Sequence, residues 1–461
     1  MSKNNFLEKI YRGLVYVLPA VLFFSYYPLI HFGASESMNF EISLPIIWLV
    51  LFDVVALLLM IKQKLLFKNL KKKWVWLLFP GFLTISVLWS LNSLRGLLTV
   101  GILWLVYFAI DAMSSLKGKF SEMGFKEKFW KAFIGSTLLI CVWCLVQCVL
   151  DLVGVSREYS LMCEGCIYAS FGFPHPSGLA IEPQFMGNLL LAPTIAAAWL
   201  YIKDRCDVKK SLKILLLVIF AGTLFLTFSR GAIYAFDVAM IFMTMFVIVK
   251  EKKKEVSKRV GITWLAIIFA FLLTLNLQGI MAALSPTNDT YFGGVSKALN
   301  HLSLGVIDIR KEDAVVEEVE YEEVEEAEEV ESEFDGYVAA STDVRLELTD
   351  AAIKVWAKDF KTMMFGVGLG GAGQALYVDG FTAAPREIIQ NQYVSLLLET
   401  GLVGLALLAM SLVLLVKAII KVRNNLMVFT LVVAYGVSLC FFAGLANALH
   451  IYLLPIVFML L

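Results

Sequence analysis

Arg230 lies in Thr227-Phe228-Ser229-Arg230-Gly231-Ala232, a tight turn that joins two apolar runs almost without a loop. An unpaired charge in hydrocarbon costs at least about 2.5–3.5 kcal/mol, so an arginine there either snorkels as an anchor or serves a ligand. An anchor needs no Ser-Arg-Gly turn, and a planar guanidinium suits bidentate binding of phosphate, so the ligand reading is favoured. Glu182 stands in Ala180-Ile181-Glu182-Pro183-Gln184, where the proline frees backbone groups. Its carboxylate could face an internal cavity as a base, or it could be a paired structural group; both readings stay open. Glu399, in Glu399-Thr400-Gly401, sits two turns into an apolar run and is placed to line a cavity. Asp53 and Asp237 also fall within apolar runs and are expected to pair structurally.

The four histidines, His31, His175, His301 and His450, show no metal-ligand spacing, so no metal site is expected. His175 belongs to a turn-rich stretch, Phe171-Gly172-Phe173-Pro174-His175-Pro176-Ser177-Gly178. A glycine cluster at Gly366, Gly368, Gly370, Gly371 and Gly373 contains a formal GxGxxG. No strand precedes it, which argues against a dinucleotide site. A tight turn, where backbone approaches a ligand or another helix, is the better reading.

These residues must be positioned by membrane helices. The chain of 461 residues is 59% hydrophobic and 17% charged, with a mean hydropathy of +0.77. The excess apolar content falls in runs of about 20 residues, the length needed to cross a hydrocarbon core roughly 30 Å thick. The expected fold is all-α: a polytopic helical membrane protein of about twelve transmembrane helices. They are placed near 11–31, 42–61, 74–91, 96–113, 132–152, 179–201, 214–229, 231–249, 260–283, 393–416, 427–447 and 449–461, the last being short. The first run lacks a small-residue cleavage site and is expected to remain as an anchor. Residues 1–283 thus carry helices one to nine, 284–392 form a large extracytoplasmic loop before the tenth, and 393–461 hold the last three. Of the 39 Lys and Arg, 28 fall between spans on one side. The positive-inside rule then puts both termini in the cytoplasm. A formal net charge of zero gives no field pointing to nucleic acid.

The long loop has parts. Residues 284–310 read as irregular and polar. Glu317 to Asp335 holds twelve acidic residues in nineteen, a self-repelling insert without a core. An amphipathic helix is expected over 343–361, with Leu348, Ala352, Val355, Trp356 and Phe360 at helical spacing and Asp343 as its cap. Among seven cysteines, Cys141, Cys144 and Cys148 suit packing within a span. Cys163-x-x-Cys166, in an earlier outer loop that also carries Arg157, reads as a local disulfide rather than a redox motif.

The segment from Arg345 through Gly404 resembles the core of the O-antigen ligase and polymerase family of bacterial membrane glycosyltransferases. That core runs from an arginine through a Trp-bearing helix and a Phe-Gly-x-Gly turn to His-Asn-x-Tyr and Glu-x-Gly-x-x-Gly. Here it reads Arg345, Trp356, Phe365-Gly366-Val367-Gly368, Gln390-Asn391-Gln392-Tyr393 and Glu399-Thr400-Gly401-Leu402-Val403-Gly404. Ser229-Arg230-Gly231 is similar to the family's Ser-Arg-Gly motif, and Ile181-Glu182-Pro183 to a Glu-Pro motif of polymerase members.

The resemblance implies an undecaprenyl-pyrophosphate-linked oligosaccharide as substrate, presented at the outer face of the bacterial plasma membrane. It also implies metal-independent transfer to an acceptor hydroxyl, without a cofactor. Arg230 and Arg345 would hold the pyrophosphate. His175, Trp356, Gly366, Gly368, Asn391 and Tyr393 would line the substrate cavity, with a chain-length regulator and a flippase as partners. Ligase members carry a His where this chain has Gln390, and neutral Gln cannot take a proton. Glu182, His175 and Glu399 are then the candidate bases beside Gln390, unless dissociative transfer needs no strong base. The substitution points to a polymerase over a ligase. A transporter of the same lipid is the rival of another class, disfavoured because no internal repeat is visible and the suspect charges cluster at the outer rim.

Overall fold

The apolar runs form helices in a computed structural model, which describes residues 3–32, 40–65, 74–120, 125–153, 175–204, 208–251, 254–284, 290–307, 333–385, 387–421, 425–444 and 447–460. Arg157, the Cys163/Cys166 motif, residues 171–174 and the acidic insert up to 332 lie outside the described residues. The helices are α1 (Lys3–Leu22), α2 (Leu44–Lys62), α3 (Leu78–Ser86), α4 (Ser93–Ser115), α5 (Phe125–Leu152) and α6 (Pro183–Ile202). They continue with α7 (Lys210–Leu226), α8 (Arg230–Lys250), α9 (Lys254–Leu284), α10 (Tyr291–Leu302) and α11 (Glu333–Trp356). The last are α12 (Phe360–Phe365), α13 (Ala372–Val378), α14 (Gln392–Ile420), α15 (Asn425–Ser438) and α16 (Leu449–Leu460).

Among the described residues, seven helices are long and apolar enough to cross a membrane: α2, α4, α5, α6, α8, α9 and α14. The other expected spans fall on shorter or less apolar segments. The run at 11–31 is helical only to Leu22; Pro28–Phe32 then pairs antiparallel with Phe40–Ser43 in a two-stranded ribbon. After Leu22 the backbone tightens into turns, Phe23 N, Phe24 N and Ser25 N donating to Ala20 O, Val21 O and Leu22 O. The run at 74–91 is broken into a 3-10 turn, α3 and a second 3-10 turn.

Helix α6 is the axis of the bundle. Of its apolar window 94% is buried, against 11% for α14, so α6 is wrapped by protein while α14 turns most of its surface outward. Around α6 pack α7, α8, α9 and α15, and α8 packs along α15. At one end of α6, Asp204 binds Lys213 at 3.0 Å and Arg259 at 3.2 Å, tying together α6, α7 and α9. The opposite end begins at Glu182.

The extended loop differs from expectation in three places. Residues 291–302, read as irregular, form α10, capped by Thr290 Oγ1 accepting from Gly293 N at 2.9 Å. The amphipathic helix expected at 343–361 runs from Glu333 to Trp356, so Asp343 is interior to it rather than its cap. It stops because Asp359 caps α12 instead, accepting from Thr362 N and Thr362 Oγ1, both at 2.8 Å.

The glycine cluster is a junction between backbones. Gly401, at φ +64°, breaks α14 and releases the carbonyls of Leu398 and Glu399 from their helical partners. Val367 N and Gly368 N donate to them, each at 2.9 Å. On the other side, Ser90 Oγ donates to Leu369 O at 2.7 Å and Leu369 N donates to Ser86 Oγ at 3.3 Å. A Cβ on Gly366 would lie 2.3 Å from the Glu399 carbonyl carbon, and one on Gly368 2.4 Å from Ser90 Cα. Another helix, not open space, therefore meets this turn.

Replacing Gly366 or Gly401 with alanine is expected to destabilise the protein by about 3 kcal/mol, since strained φ and backbone overlap coincide. Gly101→Ala, where an added Cβ meets no atom within 4 Å, should leave the melting temperature in detergent unchanged or raise it. Equal melting temperatures for the three variants would contradict the junction.

Candidate functional site

Arg230 is the first residue of α8 and is half-buried. The turn before it is built unusually. Phe228 has φ +49°, a left-handed conformation that costs a bulky residue roughly 1–2 kcal/mol. Such a conformation persists only where its surroundings over-determine it. Here the Phe228 ring is buried with Leu226, Leu275 and Ala298, and its carbonyl lies 3.2 Å from His301 Nε2. A carbonyl only accepts, so Nε2 carries the hydrogen. Ser229 Oγ then caps α8, accepting from Ala232 N at 3.4 Å.

Helix α6 reaches this turn through a glycine: a Cβ on Gly187 would meet Ser229 Cβ at 2.8 Å and Ala232 Cβ at 2.9 Å. That close approach brings the start of α6 beside Arg230. There Gln184 links two groups, donating through Nε2 to Glu182 Oε2 at 2.8 Å and accepting from Arg345 Nη2 at 3.5 Å. Arg345 projects from α11 and is half-buried. His175 is buried nearby, in a segment clamped by Gln147: Gly178 N donates to its Oε1 at 2.8 Å, and its Nε2 donates to Gly178 O at 2.9 Å.

Electrostatics join these stretches into one site. Burial first and then the positive charge of Arg230 hold the pKa of His301 down, with smaller contributions from His175 and Arg345 and against the Phe228 carbonyl, at about 3. One imidazole thus feels both guanidinium groups. Glu182 reaches solvent on one side, yet crowding by protein raises its carboxyl above the usual range, against the pull of Arg345 and the Gln184 hydrogen bond.

The structure therefore brings together Arg230, Arg345, Glu182 and His175, from three separate stretches of chain. Most of the other expected site residues have partners elsewhere in the fold. Glu399 is buried, accepts from Gly370 N at 3.0 Å and faces Arg95 of α4, in the glycine junction rather than beside Arg345. Gly366 and Gly368 are that junction. Trp356 Nε1 donates to Met363 O at 3.1 Å and fastens α11 to α12. Asn391 caps α14, accepting from Tyr393 N at 3.1 Å and Val394 N at 3.2 Å. Gln390 precedes that cap, half-buried, its Oε1 accepting no hydrogen bond among the described residues. Tyr393 OH donates to Gly436 O at 2.8 Å and borders an apolar cavity of about 550 Å³ between α3, α4, α14, α15 and α16. Asp53, expected to be paired, is buried with neither carboxylate oxygen hydrogen-bonded among the described residues.

Two members were missed in the sequence, His301 and Gln184. Metal-ligand spacing alone does not single out His301. The signal that could have found it is the helix itself: Thr290 as cap, followed by Val295, Ala298, Leu299 and Leu302 at helical spacing.

The lowered pKa of His301 fixes the sign of a pH effect. The unfolded chain, with histidine near 6.5, takes up the proton first as the pH falls. Stability contributed by this group is complete above about 6.5 and is lost from there down towards about 3. Melting temperatures measured from pH 7.5 to 4.5 should fall more steeply for the native protein than for His301→Gln; parallel curves would contradict the burial of a neutral imidazole.

No curated protein and no solved structure matches the chain. Residues 215–409 match the family model described as O-antigen ligase. That stretch includes Arg230, Arg345 and Gln390 to Glu399, while His175 and Glu182 precede it. The match covers less than half of the chain and relates that stretch to the O-antigen ligase family, whose members are glycosyltransferase-like enzymes.

Proposed function

We propose that the protein is a polymerase of surface polysaccharide. It joins oligosaccharide repeat units carried on undecaprenyl-type pyrophosphate at the outer face of the bacterial plasma membrane, with both termini in the cytoplasm. The observation that carries this reading is the meeting of Arg230 and Arg345 around one buried imidazole. Two guanidinium groups on separate helices suit a pyrophosphate, whose oxygens they grip in bidentate fashion.

In the proposed reaction the bond from the anomeric carbon to the pyrophosphate oxygen breaks. A bond to the acceptor hydroxyl oxygen forms, and lipid pyrophosphate leaves. Negative charge grows on the leaving oxygen, where preorganised cations are most effective. The hydroxyl proton passes to Glu182, whose raised carboxyl pKa suits a general base better than an ordinary surface carboxylate. His175 stands by it as the second candidate. Glu399 and the glycines hold the scaffold, and Gln390 supplies no proton acceptor. The apolar cavity bordered by Tyr393 is suited to a hydrocarbon chain, and the bilayer, a flippase and a chain-length regulator complete the proposed partners.

A ligase moving a finished glycan to another acceptor is the second reading, favoured by the description of the matched family. The two separate in one assay. Purified protein given only lipid-linked repeat units, with chelator and without nucleotide sugar, should yield a ladder of longer glycans and free lipid pyrophosphate. A ligase gives no ladder until its acceptor is added, and a transporter gives none at all. Arg230→Ala and Arg345→Ala should each lower extension at least about 100-fold, the scale of losing a charge-stabilising group. Ladders of normal length and rate from both variants would remove the assignment.

A further inference from the structure

We propose that His301 is a positioning residue for the anion site: it clamps the left-handed Phe228 through that residue's carbonyl and so holds Arg230 where it meets Arg345. The inference rests on the pyrophosphate-binding reading above and adds to it a residue outside the family's motifs.

Three observations carry it. Phe228 is two residues before Arg230, so any relaxation of its φ from +49° towards the right-handed region re-aims the first turn of α8. The hydrogen bond from His301 Nε2 to Phe228 O spans 73 positions of sequence and fixes that turn from α10. Helix α10 is itself firmly seated: a Cβ on Gly294 would lie 2.4 Å from Ala282 Cβ of α9, and Tyr234 OH of α8 donates to Leu302 O. The clamp therefore has a fixed base.

The choice of histidine has a physical reason. The group that holds Phe228 must donate a hydrogen bond from a buried position facing two guanidinium groups. Lysine or arginine would add a third permanent charge to that neighbourhood, raising the repulsion between like charges. An imidazole donates through Nε2 while uncharged, and so can hold the turn without that repulsion.

The test compares His301→Gln, His301→Asn and His301→Leu in the full-length protein. A glutamine amide reaches about as far as Nε2 and can donate to Phe228 O; asparagine is polar but too short; leucine fills the space without a donor. The readouts are KM for lipid-linked repeat units, the dissociation constant for inorganic pyrophosphate, and melting temperature. Asn and Leu are expected to weaken both constants about tenfold, the scale of one lost hydrogen bond, and Gln to stay within about threefold of native. If Leu does not fold, the Gln and Asn pair decides. Equal loss in Gln and Asn, or native constants in Asn, would overturn the clamp. Native protein that neither binds pyrophosphate nor extends glycans would instead overturn the polymerase reading.

Discussion

Like charges gathered at the margin of a low-dielectric bundle repel one another, and Arg230 and Arg345 are gathered there from helices more than a hundred residues apart in sequence. Several features serve to hold that arrangement. Gly187 lets α6 approach the turn, Phe228 accepts a conformation that bulky residues avoid, and Gln184 ties Arg345 to Glu182. The His301 imidazole, within the field of both guanidinium groups, is kept uncharged by burial and by the arginines themselves. Strain and crowding of this kind are commonly concentrated where a protein binds or reacts. A dianionic pyrophosphate is the proposed ligand that turns the repulsion into attraction.

The glycine junction does a different job. An unbroken α14 would satisfy its own carbonyls and leave the loop after α12 with nothing to hold. Breaking it at Gly401 frees two carbonyls, and the glycine loop occupies them while lodging against Ser86, Ser90 and Gly96. Glu399 completes the joint from within, bound by Gly370 N. Residues that look catalytic in a motif thus form the seam that fastens α11, with Arg345, to the membrane helices.

Much of this was legible in the sequence because hydrophobic runs and tight turns are local signals. The long helices and the tight turn at Arg230 both followed from short stretches of residues. What was not legible depended on distant partners. Nothing near Glu399 reveals that the backbone N–H of Gly370, 29 positions away, will occupy its carboxylate. Asn391 reads equally as ligand or cap until Tyr393 N and Val394 N are seen donating to it. His301 stays hidden because α10 is short and glycine-bearing, which masks its helical spacing. The broken helix at 74–89 hid for a related reason: its apolar composition persists through a change of backbone that serves the glycine loop.

The central claim is that Arg230 and Arg345 act on one anion. A double-mutant cycle on the dissociation constant for a polyprenyl pyrophosphate, using Arg230→Ala, Arg345→Ala and the double variant, tests it most directly. Two groups gripping one pyrophosphate should show a coupling of at least about 1 kcal/mol, with the double variant losing clearly less than the sum of the single losses. Strict additivity, or undiminished binding when either arginine is removed, would show that the two guanidinium groups do not share a ligand.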